Sequence, residues 1–255
     1  MTLHDAARVG FAAGSATYER GRPEYPEALG GWLAAALGLG PGRVVADVGA
    51  GTGRFTARLV ATGADVVAVE PVAEMRARIA AAAPGATALD GSAEALPLAD
   101  ASVDALVCAQ AFHWFDSPAV LREFHRVLRP GGRLGLVWNV RDESTGWVAE
   151  LTRVFEPHEG DAPRHRTGRW KAAFEPPRWF TPPRVETFPH RHVGPFERVV
   201  VDRVLSVSFV AALPEADRAA VAARVRALPD RHPALRGPEV AFPYLTEAWL
   251  AVRVD

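Results

Sequence analysis

The chain has 255 residues, 49% of them hydrophobic and 23% charged, enough apolar material for a sizeable core and a composition that excludes disorder as the dominant state. Lysine plus arginine number 29 against 30 acidic residues, a net charge of −1, so there is no broad basic field to hold a nucleic acid. A single cysteine, Cys108, rules out a disulfide framework and a cysteine-rich zinc site, and the only lysine, Lys171, sits in an Arg-rich polar stretch unsuited to a Schiff base.

Met1 to Tyr18 carries His4, Asp5 and Arg8 without a long apolar run, which predicts no signal peptide. No run of about 18 apolar residues occurs, so no membrane span is expected and the expected compartment is the cytoplasm. A helix is predicted over Pro26–Leu37, broken by Pro41-Gly42. Arg43–Val48 reads as a buried strand, Gly49–Gly53 as a glycine loop, and Arg54–Ala61 as a helix ended by Gly63. A second strand follows at Asp65–Val69, an Ala-rich helix at Val72–Ala83, a weak third strand at Ala86–Leu89 and a fourth at Val103–Ala109. Ser117 caps a helix running to Leu128, Pro130-Gly131-Gly132 ends it, and Arg133–Trp138 is a fifth strand. Strand and helix alternate with short connections, the pattern of parallel strands covered on both faces: a doubly wound three-layer α/β sheet.

The second half is less regular. Trp147–Phe155 reads as a helix, and 157–183, rich in Pro, Arg and aromatics, as an irregular excursion or lid on the substrate side. Arg184–Val193 is a candidate strand, Phe196–Val210 and Pro214–Leu228 are candidate helices, and Val240–Val254 contains a last strand, expected around Thr246–Val254. No boundary of a second domain is visible, so 1–255 reads as a single domain.

The loop Asp47-Val48-Gly49-Ala50-Gly51-Thr52-Gly53 joins the first strand to its helix, at the edge of an open α/β sheet where ligands bind. A dinucleotide fingerprint requires a third glycine at 54, where the chain has Arg54; Gly53 comes one place early. Asp47, two residues before the first glycine, repels a pyrophosphate and suits a cationic or amino-bearing ligand. The loop lacks Lys-Ser/Thr, so it is not a P-loop. Glu70, at the end of the second strand, is placed to accept both hydroxyls of a ribose. With no arginine in the loop, Asp47 and Glu70 form an acidic crevice that suits an adenosyl ligand with a positive centre.

These segments resemble the class I S-adenosylmethionine-dependent methyltransferases, in particular the small-molecule, trans-aconitate-methyltransferase-like group. VADVGAGTGRFT is similar to the family's first motif and VVAVEPVAEM to its second, with Glu70 as the ribose-binding acid. DGSAEALPLADASVDALVCAQAFHWFD is similar to the adenine segment and fourth strand, REFHRVLRPGGRLGLVWN to the next helix and strand, and TYERGRPEYP to the stretch before the first helix. The resemblance covers about residues 17–140, just under half the chain. It implies a seven-stranded Rossmann-like sheet, mostly parallel with an antiparallel last strand, and S-adenosylmethionine as cofactor. It implies that Gly49, Ala50 and Gly51 line the methionine part of that cofactor, that Pro71 and Met75 follow the ribose acid in the cofactor site, that Ser92 and Ala93 lie against the adenine, and that Gln110 lies near the crevice floor. Where the family often has Asp, this chain has the shorter, neutral Ser92, which implies a weaker adenine contact. Arg22 either pairs with the cofactor's carboxylate or forms a surface salt bridge.

Methyl transfer from a sulfonium is a direct displacement, so alignment supplies much of the rate, and a base is needed only for a nucleophile that carries a proton. His113, after the fourth strand, is either that base or a residue that orders the loop and packs the adenosyl group. Tyr18 either covers the methyl group or packs the segment before the first helix. Trp114 and Phe115 read as walls, and Trp138 and Asn139 either face the acceptor or only finish a strand. The run Arg164-His165-Arg166-Thr167-Gly168-Arg169-Trp170-Lys171 either greets an anionic acceptor or is a solvated basic loop with its aromatics tucked inward. His190 and His192 share a strand face without further ligands, and no metal is expected. The expected activity is metal-free methyl transfer to a small organic acceptor, a carboxylate or hydroxyl first, by a monomer or homodimer with no nucleic-acid or membrane partner. Two alternatives remain: a protein that binds S-adenosylmethionine for another purpose, and a nicotinamide-dependent oxidoreductase, against which Arg54 argues.

Overall fold

The computed structural model describes residues 21–160 and 163–255. They contain a seven-stranded mixed sheet in the order β3-β2-β1-β4-β5-β7-β6, parallel except for its last strand. The elements run α1 (Ala28–Ala35), β1 (Val44–Val48), α2 (Arg54–Val60), β2 (Asp65–Val69), α3 (Ala73–Ala82), β3 (Thr87–Leu89), β4 (Val103–Ala109), α4 (Pro118–Val127), β5 (Leu128–Arg141), α5 (Gly146–Phe155), β6 (Arg184–Gly194), α6 (Glu215–Arg226) and β7 (Val240–Val252). The expected doubly wound α/β class is the one observed.

The described chain divides into two compact units. One comprises 26–138, 163–188 and 247–255. Within it β1 pairs in parallel with β2 (Val44 opposite Asp65) on one side and with β4 (Val45 opposite Ala105) on the other. The chain therefore reverses its direction of travel across the sheet between β1 and β4, and the crevice beyond their carboxyl ends is where open α/β sheets take ligands. Val45 to Val48 and Ala105 to Cys108 are buried throughout, as strands covered on both faces must be. Ser117 is the N-cap of α4, its hydroxyl accepting from Val120 N–H at 3.3 Å, as expected. Residues 129–132 do not separate helix from strand as Pro130-Gly131-Gly132 suggests: Leu128 already pairs with Val103, and β5 resumes its register opposite Ala105 at Arg133.

The other unit comprises 21–25, 139–160 and 189–246. Its core gathers Trp147, Leu151 and Phe155 of α5, the valines 199–201, Phe209, Val221 and Val225 of α6, and Phe242 and Tyr244 of β7. The helix expected over Phe196–Val210 is broken into a π-helical turn at Glu197–Asp202 and short turns at Arg203–Leu205 and Ser208–Ala211. Three successive β-branched residues, Val199, Val200 and Val201, are all buried there. Such residues are poor helix formers, and burying three in a row turns the whole width of the helix inward. β7 begins at Val240, six residues before the expected start. Its alternating burial, with Val240, Phe242, Tyr244, Thr246 and Ala248 inside, continues through Pro243, which from sequence reads as a strand breaker.

The cap at Ser117 gives a check on this local reading. Ser117→Ala is expected to lower stability by about 1 kcal/mol, measured as a shift of the urea midpoint with unchanged slope; no shift would show that the cap does not hold α4.

Candidate active site

The glycine loop owes its shape to three left-handed residues, Gly49 at φ 73°, Gly51 at 59° and Gly53 at 88°. At Gly49 a side chain is excluded twice over, because an added Cβ would stand 2.8 Å from the Cβ of Ala111. At Gly51 an added Cβ would meet nothing within 4 Å, so this turn faces open space. The N–H groups of Gly49 and Ala50 both donate to the carbonyl of Val69, at 2.9 and 3.2 Å, tying the loop to the end of β2.

Glu70 stands at that end, almost wholly buried. Its Oε2 accepts from Gly51 N–H at 2.8 Å and its Oε1 from Val72 N–H at 2.9 Å. Burial raises its pKa, while the two backbone donors and the charge of Arg76 oppose the rise. A carboxylate has about four lone-pair directions, so one amide on each oxygen leaves room for a further donor on each. No arginine lies in the loop; Arg76, from α3, reaches the end of β2, its Nη1 donating to the Glu70 carbonyl at 2.6 Å and to Asp90 at 3.2 Å.

Asp47 is fully buried. Its Oδ2 accepts from the Thr56 hydroxyl at 2.7 Å, whereas Oδ1 is buried with no hydrogen-bond partner. Burial pushes its pKa up to about 7; the Thr56 hydrogen bond works against this and the charge of Glu70 adds to it. Near neutrality, then, Asp47 is half protonated and has an unused acceptor.

Pro71 is exposed and Met75 buried in the first turn of α3. Ala93 is buried and Ser92 partly so; their turn is closed by Ala95 N–H donating to the Ser92 carbonyl at 3.2 Å. It is pinned from below by Glu123 of α4, which accepts from Leu96 N–H at 2.8 Å and pairs with Arg126. Gln110, at the end of β4, is held at φ 59°, a conformation uncommon for a residue with a side chain, while its N–H donates to the Val137 carbonyl at 2.8 Å.

His113 follows in a short 3-10 turn and is buried. Its Nδ1 accepts from the indole N–H of Trp138 at 3.1 Å. This partner assigns the tautomer: the neutral ring carries its proton on Nε2. Trp138 in turn stacks against His165, ring centroids 4.3 Å apart, and Trp170, 4.9 Å apart. Nε2 of His165 lies 3.2 Å from Oε2 of Glu247. The same oxygen accepts from the indole of Trp249 at 2.9 Å, and Trp249 packs edge-on against Trp170. In the expected lid, the aromatics are tucked inward, with Trp170, Phe174 and Phe180 buried, while Arg166, Arg169 and Lys171 face solvent. Among the described residues, no three His, Cys, Asp or Glu side chains gather to hold a metal ion.

The structure thus brings Asp47, Gly49, Ala50, Gly51, Glu70, Gln110 and His113 to the carboxyl edge of β1, β2 and β4. Arg22 and Asn139 belong to the other unit. There Arg22 Nη2 donates to the Ser206 carbonyl at 3.3 Å, and Asn139 bonds the Glu24 carbonyl and the Thr246 hydroxyl. Tyr18 lies outside the described residues. The His165–Glu247 pair is new to the structure. Its members stand far apart in sequence, and only the polar-aromatic density of the 164–171 stretch hinted that anything there mattered.

A sequence profile described as a methyltransferase domain matches residues 46–136. The chain is 43% identical over 244 residues to an uncharacterized methyltransferase of Mycobacterium tuberculosis, covering 93% of each, and 35% identical over 216 residues to an uncharacterized methyltransferase-like protein of Schizosaccharomyces pombe, covering 84% of each. A solved structure described as a putative type II methyltransferase from Anaeromyxobacter dehalogenans superposes with a TM-score of 0.63 at 27% identity, over 91% of this chain and 97% of that one. Over 130 residues, about half of either chain, it is also 39% identical to the malonyl-[acyl-carrier protein] O-methyltransferase of Methylococcus capsulatus. The chain belongs to the S-adenosylmethionine-dependent methyltransferase family. It is an enzyme of that class, and S-adenosylmethionine is its cofactor.

Two outcomes follow from the loop. Because the folded state holds the proton of Asp47 up to about pH 7, while an unfolded aspartate releases it near 4, the folded protein binds the extra proton between these values. Stability therefore falls as pH rises from about 4 to about 7 and levels off above. Asp47→Asn is expected to abolish this slope and to raise the stability of the ligand-free protein at pH 8, by at most about 4 kcal/mol; unfolding curves at pH 5 and pH 8 check it. Gly49→Ala, which meets both the left-handed backbone and Ala111, is expected to cost about 1–3 kcal/mol, read from the same curves.

Proposed function

We propose that the enzyme transfers the methyl group of S-adenosylmethionine to an oxygen of a small organic acceptor bearing a hydroxyl or carboxylate. The observation that carries the reading is the pair of buried acids around the glycine turn: Asp47 with an unused Oδ1, and Glu70 with both oxygens pre-set by backbone amides. The arrangement fits the cofactor. The lone pairs left on Glu70 suit the two ribose hydroxyls. A cationic ligand beside Asp47 would relieve its buried, unsatisfied oxygen and draw it into the ionised form. Gly49, Ala50 and Gly51 offer close approach, Pro71 and Met75 continue the cofactor site past Glu70, and Ser92 and Ala93 present a short neutral turn for a base. Gln110 floors the crevice. The bound cofactor supplies an electrophilic methyl on a positively charged sulfur.

The residues of the chain contribute position. His113, whose Nδ1 accepts from Trp138, carries the proton of its neutral ring on Nε2 and so offers no lone pair to deprotonate an acceptor. O-methylation finds support in the partial match to an O-methyltransferase, and the small acceptor in the resemblance to the trans-aconitate-methyltransferase-like group. No helix among the described residues is long and apolar enough to cross a membrane.

Incubation with methyl-labelled cofactor and a metabolite extract tests the transfer; label in a small oxygen-methylated product is expected, and none under conditions of demonstrated binding would overturn it. S-adenosylhomocysteine is expected to stabilise the protein thermally while NADH does not. Glu70→Gln is expected to weaken S-adenosylhomocysteine roughly tenfold to a hundredfold, the worth of hydrogen bonds to a charged group, by calorimetry.

A further inference from the structure

Two histidines stand in the aromatic cluster at this sheet edge, and their hydrogen bonds set them to opposite tasks. His113 gives its Nδ1 lone pair to the Trp138 indole. His165 instead turns Nε2 toward the carboxylate of Glu247, at 3.2 Å. A carboxylate only accepts, so the proton of neutral His165 sits on Nε2 and the lone pair on Nδ1 is left available. A carboxylate behind a histidine also orients the ring and stabilises the imidazolium that forms when it takes a proton. Glu247 stays ionised for this, its pKa lowered by the hydrogen bond to His165 in spite of partial burial, with help from the Trp249 indole and the charge of Lys171.

The ring itself is fixed. It packs against Trp138, 4.3 Å away, and lies nearly parallel to Trp170, 5.9 Å away, two indoles that stand 4.9 Å from each other on the same side of the imidazole. It remains about one-sixth exposed, so Nδ1 is not sealed off. One further feature points to a ligand oxygen in the same cluster. Trp170 is 99% buried, yet its indole N–H has no acceptor. A buried donor left unpaired costs about 1–3 kcal/mol, which an oxygen-bearing ligand would recover.

We infer that His165, held by Glu247, is the general base of the transfer and that the acceptor is a hydroxyl compound rather than a carboxylate. The inference rests on the methyl-transfer reading above and deepens it. A carboxylate nucleophile is already ionised and has no use for a base, whereas a hydroxyl needs one. In the step, the acceptor's O–H bond breaks and its proton passes to Nδ1. The oxygen's electron pair forms the new O–CH3 bond as the C–S bond breaks, its electrons returning to sulfur. The imidazolium then releases the proton to water. Glu247 is the acid that faces the ring; Lys171, its ammonium over the Trp249 ring, bears on Glu247 through its charge, and Arg164 and Arg166 flank His165 in the chain.

The test begins with the ring and needs no acceptor. Nitrogen-15 NMR of the whole protein above neutral pH is expected to show His165 protonated on Nε2 and bare on Nδ1, with Glu247→Gln loosening that preference. A proton on Nδ1 overturns the proposal. Labelled cofactor is then offered with phenols and alcohols on one side and carboxylic acids on the other. Label is expected in hydroxyl acceptors, with His165→Gln lowering kcat about a hundredfold and KM little. Glu247→Gln, which keeps the shape of the side chain, is expected to move the acid limb of the pH–rate profile to lower pH. S-adenosylhomocysteine affinity stays unchanged in both variants, which shows that they are folded. Label entering carboxylates alone, at a rate His165→Gln leaves untouched, overturns the base and spares the methyl-transfer reading. No label in either class, with S-adenosylhomocysteine bound, removes that reading and the base with it.

Discussion

The side chain of Glu70 is the tie that the ligand crevice depends on. Its two oxygens take the amides of Gly51 and Val72, so one carboxylate joins the turn after β1 to the start of α3. Val69, one residue earlier, receives the amides of Gly49 and Ala50. A loop of three left-handed glycines has many conformations in isolation; here three hydrogen bonds from the loop to two adjacent residues select one. Charge and architecture are therefore inseparable at this point: the group suited to a ribose is also the one that shapes the turn beside it.

Asp47 plays the complementary part. It is bound at one oxygen by Thr56 and left unsatisfied at the other, an arrangement that costs the empty protein stability. Such a cost is common where a site is prepared for a charged partner, and here it sits one turn away from the tie that keeps the loop in shape.

Much of the sheet was legible because its signals are local. β1, β2 and β4 are short apolar runs, and the loop residues that meet at the crevice are nearly consecutive, so Asp47, Gly49, Gly51 and Glu70 are found by reading along the chain. Ser117 announced its cap in the same way. What escaped needed distance or context. The broken helix at 197–211 follows from the burial of three neighbouring valines, which no local pattern reveals. β7 starts earlier than expected, its period-two burial running straight through Pro243. His165 and Glu247 are joined only by the fold, and the tautomer of His113 depends on an indole from another strand. The sheet and the glycine crevice are written in contiguous segments; the cluster of Trp138, His165, Trp170 and Trp249 is assembled from three separate ones.

The backbone at Gln110 carries a wider consequence. Its left-handed conformation and its amide bond to Val137 clamp the start of the 111–115 turn through main-chain geometry, without recruiting the side chains that follow. Ala111 stands against Gly49, and the side chains that follow are held in their own right, Phe112 by Phe124, Trp170 and Phe174 and His113 by Trp138. One backbone position thus sets the start of a turn whose side chains reach the glycine loop on one side and the tryptophan cluster on the other, so a disturbance at Gln110 would be felt in both.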